Sequence, residues 1–310
     1  LGELERRGGE HALERREQLR AAHRLGEVAG EAQVAQLLPV RLVVDRAVEN
    51  EPMLRNCRNR ADAARELEPA LHCVRALHSP SSGIVDSHGL MLALLGDAQS
   101  HGATLALHSP VKGGELKGRG IVLHVGGAEP LSLRCNWVVN AAGLYAQDVA
   151  RGISGVPPES IPPIRYAIGH YFTLSGKPPF TRLIYPVSVH GSLGLHVALD
   201  LAGQVRFGPD IHWIDRADYT FDAGRAPLFY ASVRRYYPDL RDGALQPGYT
   251  GIRPKLFGPD EAPKDFDIQD ADRHGVAGLV NLYGIDSPGL TSSLAIGDYV
   301  ARMVAAAATK

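Results

Sequence analysis

Hydrophobic positions are unevenly organised along this chain. Over residues 1–35 they are sparse: Leu4, Leu13, Leu19, Ala22 and Leu25 stand among Glu, Arg and Ala. Those are good helix formers, but they draw no continuous apolar stripe, so a solvated or poorly ordered helix is expected. A short strand is expected over 37–45, and 46–62 is polar and patternless. From Ala63 the pattern becomes regular. Leu90, Met91, Leu92, Leu94 and Leu95 follow Ser87, a residue type that caps helices, and predict a buried helix to about Ser100. Gly102-Ala103 ends it, and Thr104–Leu107 reads as a strand. Ile121–Val125 and Leu131–Cys135 alternate with period two around Gly126-Gly127-Ala128-Glu129-Pro130, the pattern of a hairpin. Trp137-Val138-Val139 is an apolar strand that runs into Asn140-Ala141-Ala142-Gly143. A helix follows, with Leu144, Val149 and Ile153 on one side.

The middle of the chain has a different texture. Residues 164–174, 183–187, 195–201 and 205–207 read as strands with no helix between them, the last two turning at Ala202-Gly203-Gln204. Strand after strand points to an antiparallel sheet attached to the α/β part. A helix is expected over 225–237, carrying Leu228, Phe229, Val233 and Tyr236. Leu279-Val280-Asn281-Leu282 is strand-like and passes through Gly284–Leu290 into a final helix with Leu294, Ile296, Val300, Met303, Val304 and Ala307. The expected fold class is α/β (α+β).

Composition narrows the options. With 45% hydrophobic and 22% charged residues, the 310-residue chain suits one large globular domain or two ordinary ones. The 33 Lys+Arg against 34 Asp+Glu leave no basic excess, so no nucleic-acid partner is expected. No apolar run nears the roughly 20 residues of a membrane span. Cys57, Cys73 and Cys135 form no CxxC and are odd in number, which predicts no disulfide framework and a reducing, cytoplasmic setting. The Leu1 start, without a signal-peptide pattern, is expected of a fragment, a processed chain or translation from an unusual start.

The candidate chemistry is selective. The 13 histidines show no HxH, HxxxH or HExxH spacing, so no metal site is expected; His190 and His196 merely flank a glycine-rich turn. GxSxG and GxxxxGK[ST] are absent. Three junctions remain. Asn140-Ala141-Ala142-Gly143 places small residues where a strand gives way to a helix. They suit either close approach of a ligand or tight strand–helix packing. Gly284-Ile285-Asp286-Ser287-Pro288-Gly289-Leu290-Thr291 repeats that logic. The amides of Leu290, Thr291 and Ser292 are expected to be unpaired at a helix start, open to a ligand; the alternative is an ordinary helix capped by Ser287 or Thr291. In Gly251-Ile252-Arg253-Pro254-Lys255, Arg253 sits before proline on extended backbone. It is either a carboxylate anchor or a surface arginine.

Together with Tyr171 in Gly-His-Tyr-Phe, these phrases occur in an order that resembles FAD-dependent oxidoreductases of the D-amino-acid-oxidase-like superfamily, and within it the L-2-hydroxyglutarate dehydrogenase/oxidase family. Gly83-Ile-Val-Asp-Ser87, Leu183-Ile-Tyr-Pro-Val187, Phe207-Gly-Pro-Asp210 and Asn281-Leu-Tyr-Gly-Ile285 also look like that family. The resemblance covers about 63–306. It implies a Rossmann-like FAD-binding part (63–160 and 275–310) and an antiparallel-sheet substrate part (161–274). Residues 1–62 stand outside it: the family's opening strand–GxGxxG–helix unit has no counterpart there, and Gly26 and Gly30 follow no apolar strand. The Rossmann-like part is therefore expected to be incomplete.

By the same resemblance Asn140, Ala141 and Gly143 lie near the FAD crevice, and Gly284, Ser287, Gly289, Leu290 and Thr291 line the flavin. Arg253 holds the substrate carboxylate and Tyr171 faces the same pocket. Lys255 serves the second carboxylate of a dicarboxylate. The implied reaction oxidises a 2-hydroxy acid, L-2-hydroxyglutarate, to 2-oxoglutarate and passes electrons to oxygen or a quinone. No transmembrane segment is implied, and any membrane contact would be peripheral. The rival readings are a glycine- or D-amino-acid-type amine oxidase and a truncated, non-catalytic fragment that holds no FAD.

Overall fold

The computed structural model describes residues 41–44, 58–79, 82–187 and 194–308, with the backbone alone at 41–44, 58–60 and 308. The helix expected over 1–35, Cys57 and His190 lie outside the described residues. Contacts divide the chain into two compact units. The first has residues 93–166 and 253–308; the second has 167–252 and the described part of 41–92. The expected parts differ from these units at 63–92, 161–166 and 253–274.

In the first unit the expected hairpin is present. Strands Gly120–Val125 and Leu131–Cys135 pair antiparallel, with Ile121 opposite Cys135 and Val125 opposite Leu131. Period-two alternation puts Ile121 and Leu123 on the face that packs with Val138, Ile153, Val276 and Leu279. A third strand, Val111–Lys117, pairs along the other edge of Gly120–Val125. Its Gly113-Gly114 and flanking Lys and Glu lack a strand signature. Glycine is required at 114 because a Cβ there would lie 2.6 Å from the Val122 carbonyl oxygen. Residues 104–107, expected as a strand, form none, and Leu105 and Leu107 are exposed. Ile153 belongs to a short strand opposite Gly114, not to the preceding helix, which ends at Arg151.

The other sheet of this unit carries the motifs. Leu279–Tyr283 is buried at all five positions. It pairs antiparallel with Asp267–Gln269 and parallel with Val138–Asn140. An unbroken apolar run is what a strand covered on both faces requires. Here alternate residues meet different helices. Tyr283 packs with Ala146 and Ala150 of helix Ala146–Arg151. Val280 and Leu282 pack with Ile296, Val300 and Val304 of helix Ser293–Ala308. Helices on both faces of a sheet make this unit α/β.

The second unit is built on a large sheet. Its strand order is 212–214, 165–174, 205–208, 196–199, 183–186, 41–44, 75–79 and 58–60, with Leu245–Lys255 also paired to Arg165–Leu174. Most neighbours are antiparallel, as expected; 41–44 and 183–186 run parallel. Its core gathers Phe172, Phe207, Ile184 and Val197 with Phe229, Val233 and Tyr236. The helix expected over 225–237 is regular only from Ala226 to Val233. Beyond it Tyr236 sits in a turn, where its hydroxyl donates to the Leu195 carbonyl at 2.9 Å.

Helix Ser87–Ser100 has the expected limits but neither the expected cap nor the expected burial. Asp86 Oδ1, rather than Ser87, accepts the amides of His88 and Gly89 at 3.1 and 3.0 Å. None of its residues is buried, and Met91 and Leu92 are 51% and 68% exposed. Leu90, Met91, Leu92, Leu94 and Leu95 are spread around the axis, so no single face buries them together.

Candidate functional site: the ends of the parallel strands and a cation pair

The parallel pairing Val138–Asn140 with Leu279–Tyr283 sets the site. Two parallel strands end at the same side, so the loops Asn140–Gly143 and Gly284–Thr291 leave together. In an α/β sheet that side, beyond the carboxyl ends of the strands, is where ligands bind. The structure thereby brings together two motifs that lie about 140 residues apart in the chain.

Asn140 fastens this arrangement. It is 3% exposed. Its Nδ2 donates to the Ala146 carbonyl at 2.7 Å and to Asn281 Oδ1 at 2.9 Å. Its Oδ1 accepts the Ala142 amide at 3.4 Å. One side chain thus closes its own turn and ties it to the neighbouring strand. Ala141 and Ala142 are left exposed at the tip. Gly143 has φ +58°, and nothing lies within 4 Å of where its Cβ would be.

The second loop is built more tightly. Gly284 has φ +69°, and a Cβ there would lie 2.7 Å from Leu256 Cγ, so both conformation and space demand glycine. Gly289 is buried, and its Cβ would lie 2.8 Å from Ile285 Cγ2. Its amide donates to the Asp286 carbonyl. Leu290 and Thr291 are exposed, and their amides meet no backbone carbonyl among the described residues. The Ser292 amide, expected to be free as well, donates to the Pro288 carbonyl at 3.0 Å. Among the described residues no side-chain hydrogen bond from Ser287 or Thr291 caps the helix. The Ser292 hydroxyl bonds back to the Pro288 carbonyl at 3.1 Å instead. Ser287 is exposed beside this turn.

Arg253 and Lys255 sit two apart on the strand Leu245–Lys255, so their side chains share a face. Both turn to Asp286. Lys255 Nζ lies 2.7 Å from Asp286 Oδ2, and Arg253 Nη1 lies 3.8 Å from the same oxygen. The Asp286 side chain is 8% exposed, against 17% for Lys255 and 26% for Arg253. The Lys255 contact is ionic rather than a directed hydrogen bond, because Oδ2 has no hydrogen-bond donor among the described residues. Two cations share one carboxylate, so one positive charge within the trio is uncompensated. Sequence reasoning quoted Asp286 inside its motif but gave it no role. The ion pairs that bring Arg253 and Lys255 to Asp286 join a strand end to a distant loop, which is not written in either segment alone.

Tyr171 lies in the second unit, on Arg165–Leu174. Its ring stacks on Tyr249 with centroids 4.5 Å apart, and the Arg206 guanidinium lies 5.5 Å from the Tyr249 centroid. His170, next along the strand, points the other way. Its Nδ1 is 3.1 Å from Asp210 Oδ1, and Asp210 also pairs with Arg225 Nε. His170 and Asp210 are almost completely buried. This trio was missed in the sequence, although two of its members stand in the phrases Gly-His-Tyr-Phe and Phe-Gly-Pro-Asp. A cavity of about 240 Å³ in this unit is lined by Ile84, Phe180, Arg182, Leu199 and Asp200, none a predicted site residue. Cys73 and Cys135 are free thiols, and burial pushes the Cys73 thiol up. Among the described residues no helix is long and apolar enough to cross a membrane.

These features can be tested against a flavin nucleotide. Small residues at Ala141, Ala142 and Gly143, a glycine-shaped second loop and two unpaired amides at Leu290 and Thr291 suit a planar ring edge and a polar chain laid over the strand ends. The described residues therefore fit the flavin side of FAD.

Comparison with known proteins agrees. The family model "FAD dependent oxidoreductase" matches residues 1–303. A mitochondrial L-2-hydroxyglutarate dehydrogenase of Arabidopsis thaliana is 44% identical over 278 residues, covering 77% of this chain and 58% of that protein. The L-2-hydroxyglutarate dehydrogenase of Escherichia coli (strain K12) is 25% identical over 285 residues, covering 79% of this chain and 65% of its own length. The chain thus spans less than two thirds of either relative. Among solved structures, the L-proline dehydrogenase of P. horikoshii superposes with a TM-score of 0.75 at 15% identity, over 93% of this chain and 78% of that one. Glycine oxidase from Geobacillus kaustophilus gives 0.69 at 18% identity, over 92% and 76%. The α/β layer, the paired motif loops and the family match lead to one conclusion: this chain belongs to the FAD-dependent oxidoreductase family.

Proposed function

We propose that the chain carries the flavin-side and substrate-binding portion of a 2-hydroxy-acid oxidoreductase whose substrate is L-2-hydroxyglutarate and whose product is 2-oxoglutarate. The observation that carries the reading is the 44% identity, over 278 residues, to the Arabidopsis L-2-hydroxyglutarate dehydrogenase. The cation pair on the strand Leu245–Lys255 supports it, because a dicarboxylate needs two positive partners.

Oxidation takes a hydride from the α-carbon and a proton from the hydroxyl. When bound, FAD supplies the two-electron acceptor. The chain's own residues bind and orient the substrate and the flavin. Arg253 anchors the carboxylate beside the reacting carbon through its planar fork, and Lys255 serves the distal carboxylate. Tyr171 is a substrate-side residue. Asn140, Ala141 and Gly143 on one loop, with Gly284, Ser287, Gly289, Leu290 and Thr291 on the other, cradle the flavin. Holding the substrate in one orientation converts an encounter into a unimolecular step. The electrons pass on to oxygen or a quinone, in the cytoplasm or at a membrane surface. The test is turnover with an artificial dye acceptor. L-2-hydroxyglutarate should reduce the dye while glycine and D-amino acids do not; turnover of an amine instead would replace the reading with an amine oxidase.

A further inference from the structure

We infer that Asp286 sets the preference of the Arg253–Lys255 pair between dicarboxylates and monocarboxylates. The inference rests on the 2-hydroxy-acid reading above and deepens it. Asp286 is the anion nearest Lys255, at 2.7 Å, and Arg253 is farther from it, at 3.8 Å. The two cations are therefore not equivalent. Lys255 lies closer to the internal carboxylate, whereas Arg253 is farther from it and more exposed, 26% against 17%. A first carboxylate arriving at Arg253 meets the less closely paired of the two cations. A second carboxylate arriving at Lys255 must compete with Asp286 and is repelled by it.

Asp286 is held to this task from both sides. Its backbone carbonyl takes the Gly289 amide, which fixes the loop. Its side chain is nearly buried, and Oδ2 faces both cations, Lys255 the nearer. An acidic group so placed discriminates between ligands: those with one carboxylate, bound at the more distant Arg253, lose less to it than those whose second carboxylate must also reach Lys255. Asp286 is thus a positioning residue. It holds Lys255 without a contact to the substrate of its own.

The experiment is calorimetric titration of the full chain, loaded with FAD, with 2-hydroxyglutarate and with 2-hydroxybutyrate. Asp286→Asn keeps the shape and removes the charge. It should tighten 2-hydroxyglutarate about tenfold relative to 2-hydroxybutyrate, the size of one nearby screened charge. In a Lys255→Met background the same substitution should leave the ratio unchanged. Asp286→Glu, which keeps the charge, should restore the parent ratio. An unchanged ratio in Asp286→Asn, or the same change with Lys255 removed, overturns the assignment, as does failure of every variant to bind either acid. If the acids bind with the expected ratios but 2-hydroxyglutarate does not reduce the flavin, the function reading fails and the role of Asp286 stands.

Discussion

Replacing Arg253 by alanine separates the substrate site from the flavin site. The side chain pairs only loosely with Asp286, at 3.8 Å, and Lys255 remains 2.7 Å from that acid to keep it compensated. The loss therefore falls on the substrate and not on the fold. A charge-assisted hydrogen bond to a carboxylate contributes about 1.5–3 kcal/mol. With RT near 0.59 kcal/mol, that predicts a KM for L-2-hydroxyglutarate raised about 10- to 150-fold. Arg253 belongs to the strand Leu245–Lys255 and none of the flavin-side loops, so flavin content per chain should stay at the parent value. Arg253→Lys should recover only part of the loss, since an ammonium restores charge but not the bidentate fork. The assay is steady-state dye reduction over a substrate range, with visible flavin absorbance and the thermal midpoint recorded for each variant. A KM unchanged in Arg253→Ala, with flavin retained, would remove Arg253 from the substrate site and refute the reasoning.

Other perturbations read separate parts of the account. Gly284→Ala adds a Cβ 2.7 Å from Leu256 Cγ at φ +69°, so chemical denaturation should show a loss of about 2–5 kcal/mol from conformational strain and overpacking together, with weakened flavin retention. A midpoint at the parent value would mean that the loop is not held as described. Asp210→Asn leaves Arg225 without its carboxylate and His170 Nδ1 without an ionised partner in a buried place, at a cost of about 3 kcal/mol in the same assay. His274 is 4% exposed, and burial holds its pKa below the ordinary value. The unfolded chain therefore binds the proton more readily. Stability from this group is full above the unfolded histidine pKa, near 6.5, and falls as pH drops from there toward the lower folded value. His274→Gln should flatten that acid-side slope; an unchanged slope would assign it to other groups.

What the sequence made legible follows the kind of signal each element carries. The hairpin over 120–135 was readable because period-two alternation flanks a glycine-rich turn, and the buried run 279–283 because a doubly covered strand has no polar face. Val111–Lys117 was not readable, because glycines forced by close strand approach erase the alternation. The helix 87–100 was located correctly, yet its burial was overread from apolar content without a one-sided stripe. For the site, the two motif loops were found as phrases, and the parallel register Asn140 with Asn281 explains why they leave the sheet side by side. Asp286 and the His170–Asp210–Arg225 trio escaped because each depends on pairing between distant segments, which local patterns do not encode.

The central claim is that this chain holds FAD beside a site for L-2-hydroxyglutarate. Anaerobic addition of that acid to the FAD-loaded chain tests it most directly. The account predicts bleaching of the visible flavin absorbance with one 2-oxoglutarate formed per flavin reduced. A chain that takes up no FAD, or whose flavin stays oxidised under L-2-hydroxyglutarate, would contradict it.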